Sequence, residues 1–299
     1  MSIAVGDPIP AVPERPMRVR AHVPRSQRVL LTVARHAVLL ALAAMFALPL
    51  LFMLLQSVMP IEQAKTTALW PDRFAWGNYG EVFDRVPLAR YFVNTLLVCV
   101  LSTIGTVISC VPVAYAFSHL RWRGRTTVFV LVLSTMMLPY QVLFVSQYEI
   151  FTSLGWINSI LPLTVPAFFA NAFSIFLLRQ FFLTLAPDVL DAVRVDGASE
   201  FGVLTRVVIP MAKPGIMAVA IFQFLFSWSD FFGPNIYLSD DDSLTLAVGL
   251  VRLNTALVKT GESNLTMAAS VVFVLPILVL FFFAQKVFIE GVTLTGTKG

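Results

Sequence analysis

Residues 183–213, LTLAPDVLDAVRVDGASEFGVLTRVVIPMAK, concentrate the side chains of this 299-residue chain that are able to do specific chemistry. Asp188, Asp191, Asp196 and Glu200 alternate there with Arg194 and Arg206, and Val189, Ala192, Val193, Phe201 and Leu204 lie between them. Pro187 followed by Asp188 reads as a helix start, with Asp188 as N-cap and Asp191 three residues on in a near capping-box spacing. That helix is predicted to run to about Asp196. Gly197 supplies a permissive turn, and a second short helix is predicted from Ala198 or Ser199 to about Arg206. Pro210 and Pro214 then set the start of the next apolar segment. The interleaved pattern is that of a small amphipathic knob with one docked face, so the chemistry is recognition of a partner.

Catalytic and metal chemistries lack their residues. His22, His36 and His119 lie in the N-terminal tail or near the ends of apolar segments, and no His, Cys or carboxylate cluster has ligand spacing. No G-x-x-x-x-G-K-[ST] phosphate loop occurs, so ATP binding by that route is excluded. Cys99 and Cys110 share one apolar stretch, and eleven residues of helix separate them by roughly 16 Å, too far to pair. They read as buried apolar thiols.

The elements that must position the knob follow from composition. The chain is 58% hydrophobic and 13% charged, with a mean hydropathy of +0.81, more apolar surface than a water-soluble core of this length buries. The formal net charge of +4 does not point to nucleic acid, because Lys and Arg stand in short runs between apolar segments. Stretches free of Asp, Glu, Lys and Arg run over 37–59, 91–120, 126–148, 161–178, 214–229 and 263–285. Most reach the ~20 residues that cross ~30 Å of hydrocarbon, and the two shorter ones extend to Phe182 and Tyr237. Six spans are expected. The first reads as a retained anchor, since its apolar run is long and no small-residue cleavage site interrupts it.

Arg15, Arg18, Arg20, Arg25, Arg28 and Arg35 precede the first span, and Arg121, Arg123 and Arg125 stand between the second and third without an acid. The positive-inside rule places both groups, and both termini, in the cytoplasm. The opposite loops agree: 151–160 is uncharged, and the loop before the sixth span carries Asp240, Asp241 and Asp242. The expected organisation is a flexible basic cytoplasmic tail over 1–36, a first span over 37–59 and an external loop over 60–90. A five-helix core over 91–288, holding the 183–213 loop, and a cytoplasmic tail over 289–299 complete it. Prolines 49, 112, 139, 162, 166 and 276 are expected to kink the spans.

At 183–213 the chain resembles the EAA loop of binding-protein-dependent ABC permeases: Glu-Ala-Ala, three residues, Gly, nine residues, then Ile-x-Leu-Pro. Asp191, Ala192 and Val193 take the first three places, Gly197 follows at the required spacing, and Val207, Val208, Ile209 and Pro210 close the pattern. FLLRQFFLTLAPDVLDAVRVDGASE, FSWSDFFGPNIYL and the C-terminal QKVFIEGVTLTGTKG are similar to the smaller permease of maltose-type and glycerol-phosphate-type carbohydrate importers. About 200 residues are covered.

The resemblance implies an all-α membrane protein with six transmembrane helices of the type I ABC importer architecture and a cytoplasmic coupling helix pair, in the bacterial inner membrane. It implies a non-catalytic subunit that forms half of a solute pathway, with a second permease, an ATPase dimer and an extracytoplasmic solute-binding protein as partners. ATP and Mg belong to the ATPase, and the chain itself binds no cofactor. Asp191, Ala192, Val193, Asp196, Gly197, Ala198 and Pro210 become the coupling residues, Asp191 offering a carboxylate to an ATPase arginine. A di- or oligosaccharide is the implied solute, with glycerol 3-phosphate or another polyol phosphate as the alternative.

An ion-coupled secondary transporter would call for intramembrane charges and inverted repeats, which are not evident, and a structural anchor leaves the loop spacing unexplained. Polar residues inside the spans, Asn94, Gln141, Gln147, Tyr148, Asn171 and Gln223, with Trp228 and Asp230, are candidates for meeting a solute or for joining helices. None is assigned as a binding residue. The external segment from Gly233 to Thr266, with its acidic run, reads either as a contact for a binding protein or as a solvated loop.

Overall fold

The structure, a computed structural model, describes residues 25–66 and 68–296, and among these no strand occurs. The Pro- and Arg-rich segment through residue 24, with His22, lies outside the described residues. Helix α1 (Arg25–Ser57) starts twelve residues before the expected first span, because RSQRVLLTVARH contains neither Gly nor Pro to stop a helix propagating upstream. The chain divides into two compact units at Leu51 and Phe52, inside α1.

In the second unit, α2 (Ile61–Ala64) and α3 (Gly77–Arg85) precede α4 (Leu88–Ser118), which continues through Pro112. Then come α5 (Arg125–Ser134) and α6 (Tyr140–Ser153), which meet at 97° within the expected span over 126–148, a sharp bend at the proline expected to kink it. The break has a local cause. Pro139 disfavours the α region for the residue before it, and Leu138 is extended at ψ 118°.

The fourth apolar segment is also interrupted: α7 (Leu161–Thr164), a 3-10 turn (Val165–Phe169), then α8 (Ala172–Phe182). Pro162 and Pro166 fall in the first turns of the two short pieces, where their missing N–H is tolerated. At the break Ala170 takes φ +64°, and α4 satisfies the interrupted backbone. The Ser109 hydroxyl donates to the Ala167 carbonyl at 3.1 Å and accepts from the Ala170 N–H at 3.1 Å. Asn171 caps α8, its Oδ1 accepting from the Ser174 N–H at 2.8 Å.

After α8 come α9 (Pro187–Val195), α10 (Glu200–Val203), a π-helical turn (Leu204–Val208) and α11 (Ile209–Met211). α12 (Lys213–Ser229) departs at 78° from the piece before it. α13 (Phe232–Tyr237), α14 (Leu246–Val258) and α15 (Ser263–Gly296) complete the chain, α15 passing through Pro276 and continuing beyond 288. Among the described residues, four helical segments are long and apolar enough to cross a membrane, Val29–Ser57, Leu88–Ser118, Leu161–Phe182 and Ser263–Gln285. The count rises to six when each bent pair is one span.

α4 is the axis of the second unit, packing against α8, α12 and the 3-10 turn. Close approach depends on small residues, as in membrane helix pairs generally. A Cβ at Gly105 would lie 2.6 Å from Phe168 Cδ2, and one at Gly215 2.5 Å from Phe181 Cγ. Two apolar cores form along α4. One gathers Ala114, Tyr115, Leu178, Phe182, Leu190, Val203 and Val208, and the other Leu88, Tyr91, Cys99, Trp228, Leu246 and Leu265. Leu97, Ile104 and Ile108 on α4 and Phe281, Phe282 and Phe283 on α15 stay exposed, as an apolar solvent requires.

The candidate coupling loop

α9 begins two residues earlier than an N-cap at Asp188 predicts. Ala186 is the N-cap and Pro187 is the first helical residue, so Asp188 lies in the first turn without a capping bond, where its charge still favours the helix dipole. Asp191 closes no capping box. Its Oδ1 accepts from Arg194 Nη1 at 2.8 Å, one helical turn on.

Gly197 has φ +87°, and its N–H bonds the Arg194 carbonyl at 3.0 Å while the Ala198 N–H reaches the Val193 carbonyl at 3.2 Å. That pair of bonds is a Schellman ending, which requires a left-handed residue at the Gly197 position. Ser199 then caps α10, its Oγ accepting from the Gly202 N–H at 3.2 Å. The wider π turn follows just before Pro210, which cannot donate a helical bond, and Pro210 itself is exposed.

The loop has two apolar faces, where the sequence pattern predicts one. Leu190, Val203, Leu204 and Val208 are buried against Phe182, Leu185 and Tyr115, with Val193 and Ala198 partly buried beside them. Each such buried aliphatic side chain contributes about 1.5–3 kcal/mol to docking the loop on the spans. The outward face carries Val195 at 86% and Phe201 at 75% exposure, with Val189, Asp191, Ala192, Asp196 and Gly197 also exposed. Leu204 and Val193 therefore belong to the inner face. Val195 belongs to the outer one, a residue that apolar character alone does not assign to either face.

Between the faces lies a cluster that no short-range pattern announces. Arg194 Nε donates to Glu200 Oε1 at 3.0 Å and Nη2 to Oε2 at 3.3 Å, closing α9 onto α10. The Tyr115 hydroxyl of α4 donates to Glu200 Oε2 and accepts from Arg194 Nη2 at 3.4 Å. Glu200 raises the affinity of Arg194 for its proton, with Asp191 adding to the effect. In return, the Arg194 guanidinium, then the Tyr115 hydroxyl, hold the Glu200 carboxyl below the usual carboxylate range. Beside the cluster, His119 Nε2 bonds the Phe182 carbonyl at 3.1 Å, and Arg179 Nε donates to the Phe117 carbonyl at 3.1 Å.

The polar candidates in the spans mostly join elements. Asn94 donates to the carbonyls of Asp242 and Leu244, both at 3.0 Å, and Gln223 donates to Ser227 Oγ at 3.1 Å. Trp228 is wholly buried between Phe92, Phe224 and Phe273, and its Nε1 donates to the Phe273 carbonyl at 3.2 Å. Asp230 accepts from the Gly233 N–H, in the first turn of α13, at 3.2 Å. Gln147 accepts from the Tyr237 hydroxyl at 3.4 Å, and Tyr148 stacks on the Tyr237 ring. Two members of the acidic run are paired at the surface: Asp241 with Arg252 at 2.9 Å and Asp242 with Arg90.

A chain with four apolar helical spans, or six when each bent pair is one, and with a folded loop between spans that is buried on one side and apolar on the other, defines the class of multi-span helical membrane proteins. Comparisons with known proteins make the class specific. Residues 105–293 match the family described as binding-protein-dependent transport system inner membrane component, and the chain belongs to that family. It is 31% identical to the arabinooligosaccharides transport system permease protein AraQ of Bacillus subtilis, over 86% of this chain and 92% of that one. It is 27% identical to the sn-glycerol-3-phosphate transport system permease protein UgpE of Pectobacterium atrosepticum, over 77% of this chain and 84% of that one. Its fold matches a chain in the crystal structure of a bacterial ABC transporter involved in the import of the acidic polysaccharide alginate. The TM-score is 0.75 at 23% identity, covering 88% of this chain and 98% of that one.

Proposed function

We propose that this chain is the permease subunit of an ATP-driven importer, that it forms half of the pathway for a di- or oligosaccharide, and that 183–213 is the loop that receives the ATPase. The observation that carries the reading is the outward face of that loop. Val195 and Phe201 stand exposed beside Asp191, Asp196 and Gly197 while the opposite face is buried. An apolar patch rimmed by carboxylates on a knob held rigidly from behind is suited to a cleft with basic edges.

The remaining parts follow from the family. The chain carries no phosphate loop, so ATP and Mg belong to a separate ATPase dimer, and a second permease and a solute-binding protein complete the assembly. An even number of spans sets both termini on one side of the membrane, and the positive-inside rule, applied to Arg121, Arg123 and Arg125, supports the cytoplasmic side for them and for the loop. The 91–288 core then encloses the pathway. The sugar assignment rests on relatives such as AraQ, and glycerol 3-phosphate is the alternative that UgpE supports.

The test is reconstitution with ATPase, second permease and binding protein, followed by uptake and ATP hydrolysis with arabino-oligosaccharides, maltodextrins and glycerol 3-phosphate. A neutral sugar is expected to stimulate hydrolysis. Asp191→Arg and Phe201→Asp, both on the exposed face, are expected to abolish ATPase co-purification while the chain stays folded. Uptake without any ATPase, driven by an ion gradient, would refute the reading.

A further inference from the structure

We propose that Arg194, with Glu200 and Tyr115, is the positioning residue that locks the coupling loop to α4, so that displacement of the loop is delivered to that helix. This rests on the reading of 183–213 as the ATPase-receiving loop.

Three observations carry it. First, Arg194 does not face the exposed patch alone; its guanidinium spans α9, α10 and α4 at once, through Asp191, Glu200 and Tyr115. The planar fork of an arginine can hold these three directions together, and a lysine ammonium cannot reproduce that geometry. Second, the lock sits behind the loop. Leu190, Val203 and Leu204 share one buried apolar core with Tyr115, so the polar contacts fix the register of an interface whose apolar part alone tolerates sliding. His119 with Phe182, and Arg179 with Phe117, tie the ends of α4 and α8 together next to it.

Third, α4 is one uninterrupted helix of 31 residues, about 46 Å long at 1.5 Å per residue. Its far end holds the external segment. Arg90 pairs with Asp242, Asn94 donates to the carbonyls of Asp242 and Leu244, and Thr95 Oγ1 accepts from the Leu246 N–H at 2.7 Å. One stiff element thus joins the loop on one side of the membrane to residues 242–246 on the other. A shift imposed at α9 reaches both ends of α4 only while Arg194 keeps loop and helix in register.

The test uses the reconstituted assembly with Tyr115→Phe, which removes one hydroxyl and keeps the ring, and with Arg194→Lys, which keeps the charge and loses the fork. Three quantities are read: ATPase co-purification, thermal unfolding of the assembly, and the ratio of binding-protein-stimulated to basal ATP hydrolysis. Both variants are expected to retain the ATPase and to unfold within a few degrees of the parent. Their stimulation ratio is expected to fall by about fivefold or more, the lower range of allosteric coupling. The exchanged pair Arg194→Glu with Glu200→Arg is expected to recover part of it. A merely structural contact predicts lower yield or an earlier unfolding midpoint with the ratio unchanged, and that result overturns the proposal. If the parent chain itself retains no ATPase, the reading of the loop fails instead, before any variant is compared.

Discussion

Gly197 is the residue at which backbone chemistry and the family pattern coincide. Its φ of +87° is the left-handed value a Schellman ending needs, and nothing lies within 4 Å of where a Cβ would stand, so the demand is conformational rather than steric. Gly197→Ala is therefore expected to cost about 1–2 kcal/mol, the left-handed penalty for an L-residue, and Gly197→Asn clearly less, since Asn tolerates that region. Thermal unfolding of the purified permease in detergent measures both, and equal losses would point to a buried contact instead. Glu200 makes a pH prediction. Its folded pKa is depressed, so its contribution is fully present above the unfolded value of about 4.3 and is lost as pH falls through the folded value. The unfolding midpoint of the parent is expected to drop between about pH 5 and pH 3 more steeply than that of Glu200→Gln. The seven residues proposed for coupling were singled out by their spacing and by the family resemblance it carries. Their orientation was not legible, because the loop is apolar on two sides and periodicity alone cannot say which side meets the spans.

At the scale of elements, the breaks explain more than the helices. Pro49, Pro112 and Pro276 sit inside continuous helices, whereas Pro139 marks a 97° turn, so proline identity does not decide where a span breaks. At Ala170 a non-glycine residue takes φ +64° in the middle of an apolar segment, and a single serine on α4 bonds both sides of the gap. Ser109→Ala leaves the Ala170 N–H without its donor-acceptor partner inside an apolar region, and is expected to cost about 1–3 kcal/mol. Ser109→Thr keeps the hydroxyl and is expected to cost less. Chemical unfolding in mixed micelles distinguishes the two, and identical midpoints for Ser109→Ala and the parent would mean the break is satisfied elsewhere. A strained alanine has no sequence signature, since neighbouring elements force its conformation.

For the whole molecule, both ends of the second unit are held by polar ties around apolar cores, and the exposed ties contribute little to stability. Replacing Asp241 and Asp242 by Asn is expected to cost at most about 1 kcal/mol each, since all four partners of these pairs are substantially exposed. The loss should shrink near 1 M salt, where the Debye length is about 3 Å. Topology gives a separate prediction. A fluorescent protein fused after Gly299 is expected to fluoresce and an alkaline phosphatase fused there to stay inactive, the pattern of a cytoplasmic terminus; the reverse pattern would invert the orientation of the loop.

The sequence by itself determined the solvent and the segment lengths, because a bilayer imposes a long run of uncharged residues on every span and hydropathy registers this directly. It also determined the position of the folded loop, through local signals: Pro187 at a helix start, Gly197 at a left-handed turn, Ser199 at a cap. Only the tertiary structure decided the rest. Tyr115 lies 79 residues before Arg194 and 85 before Glu200, and Ser109 lies 61 before Ala170. Contacts at such separations arise when packed helices bring distant residues together, and no periodicity within either segment encodes them. The inward and outward faces of the loop were decided in the same way, by which apolar side chains found α4 and α8 to cover them.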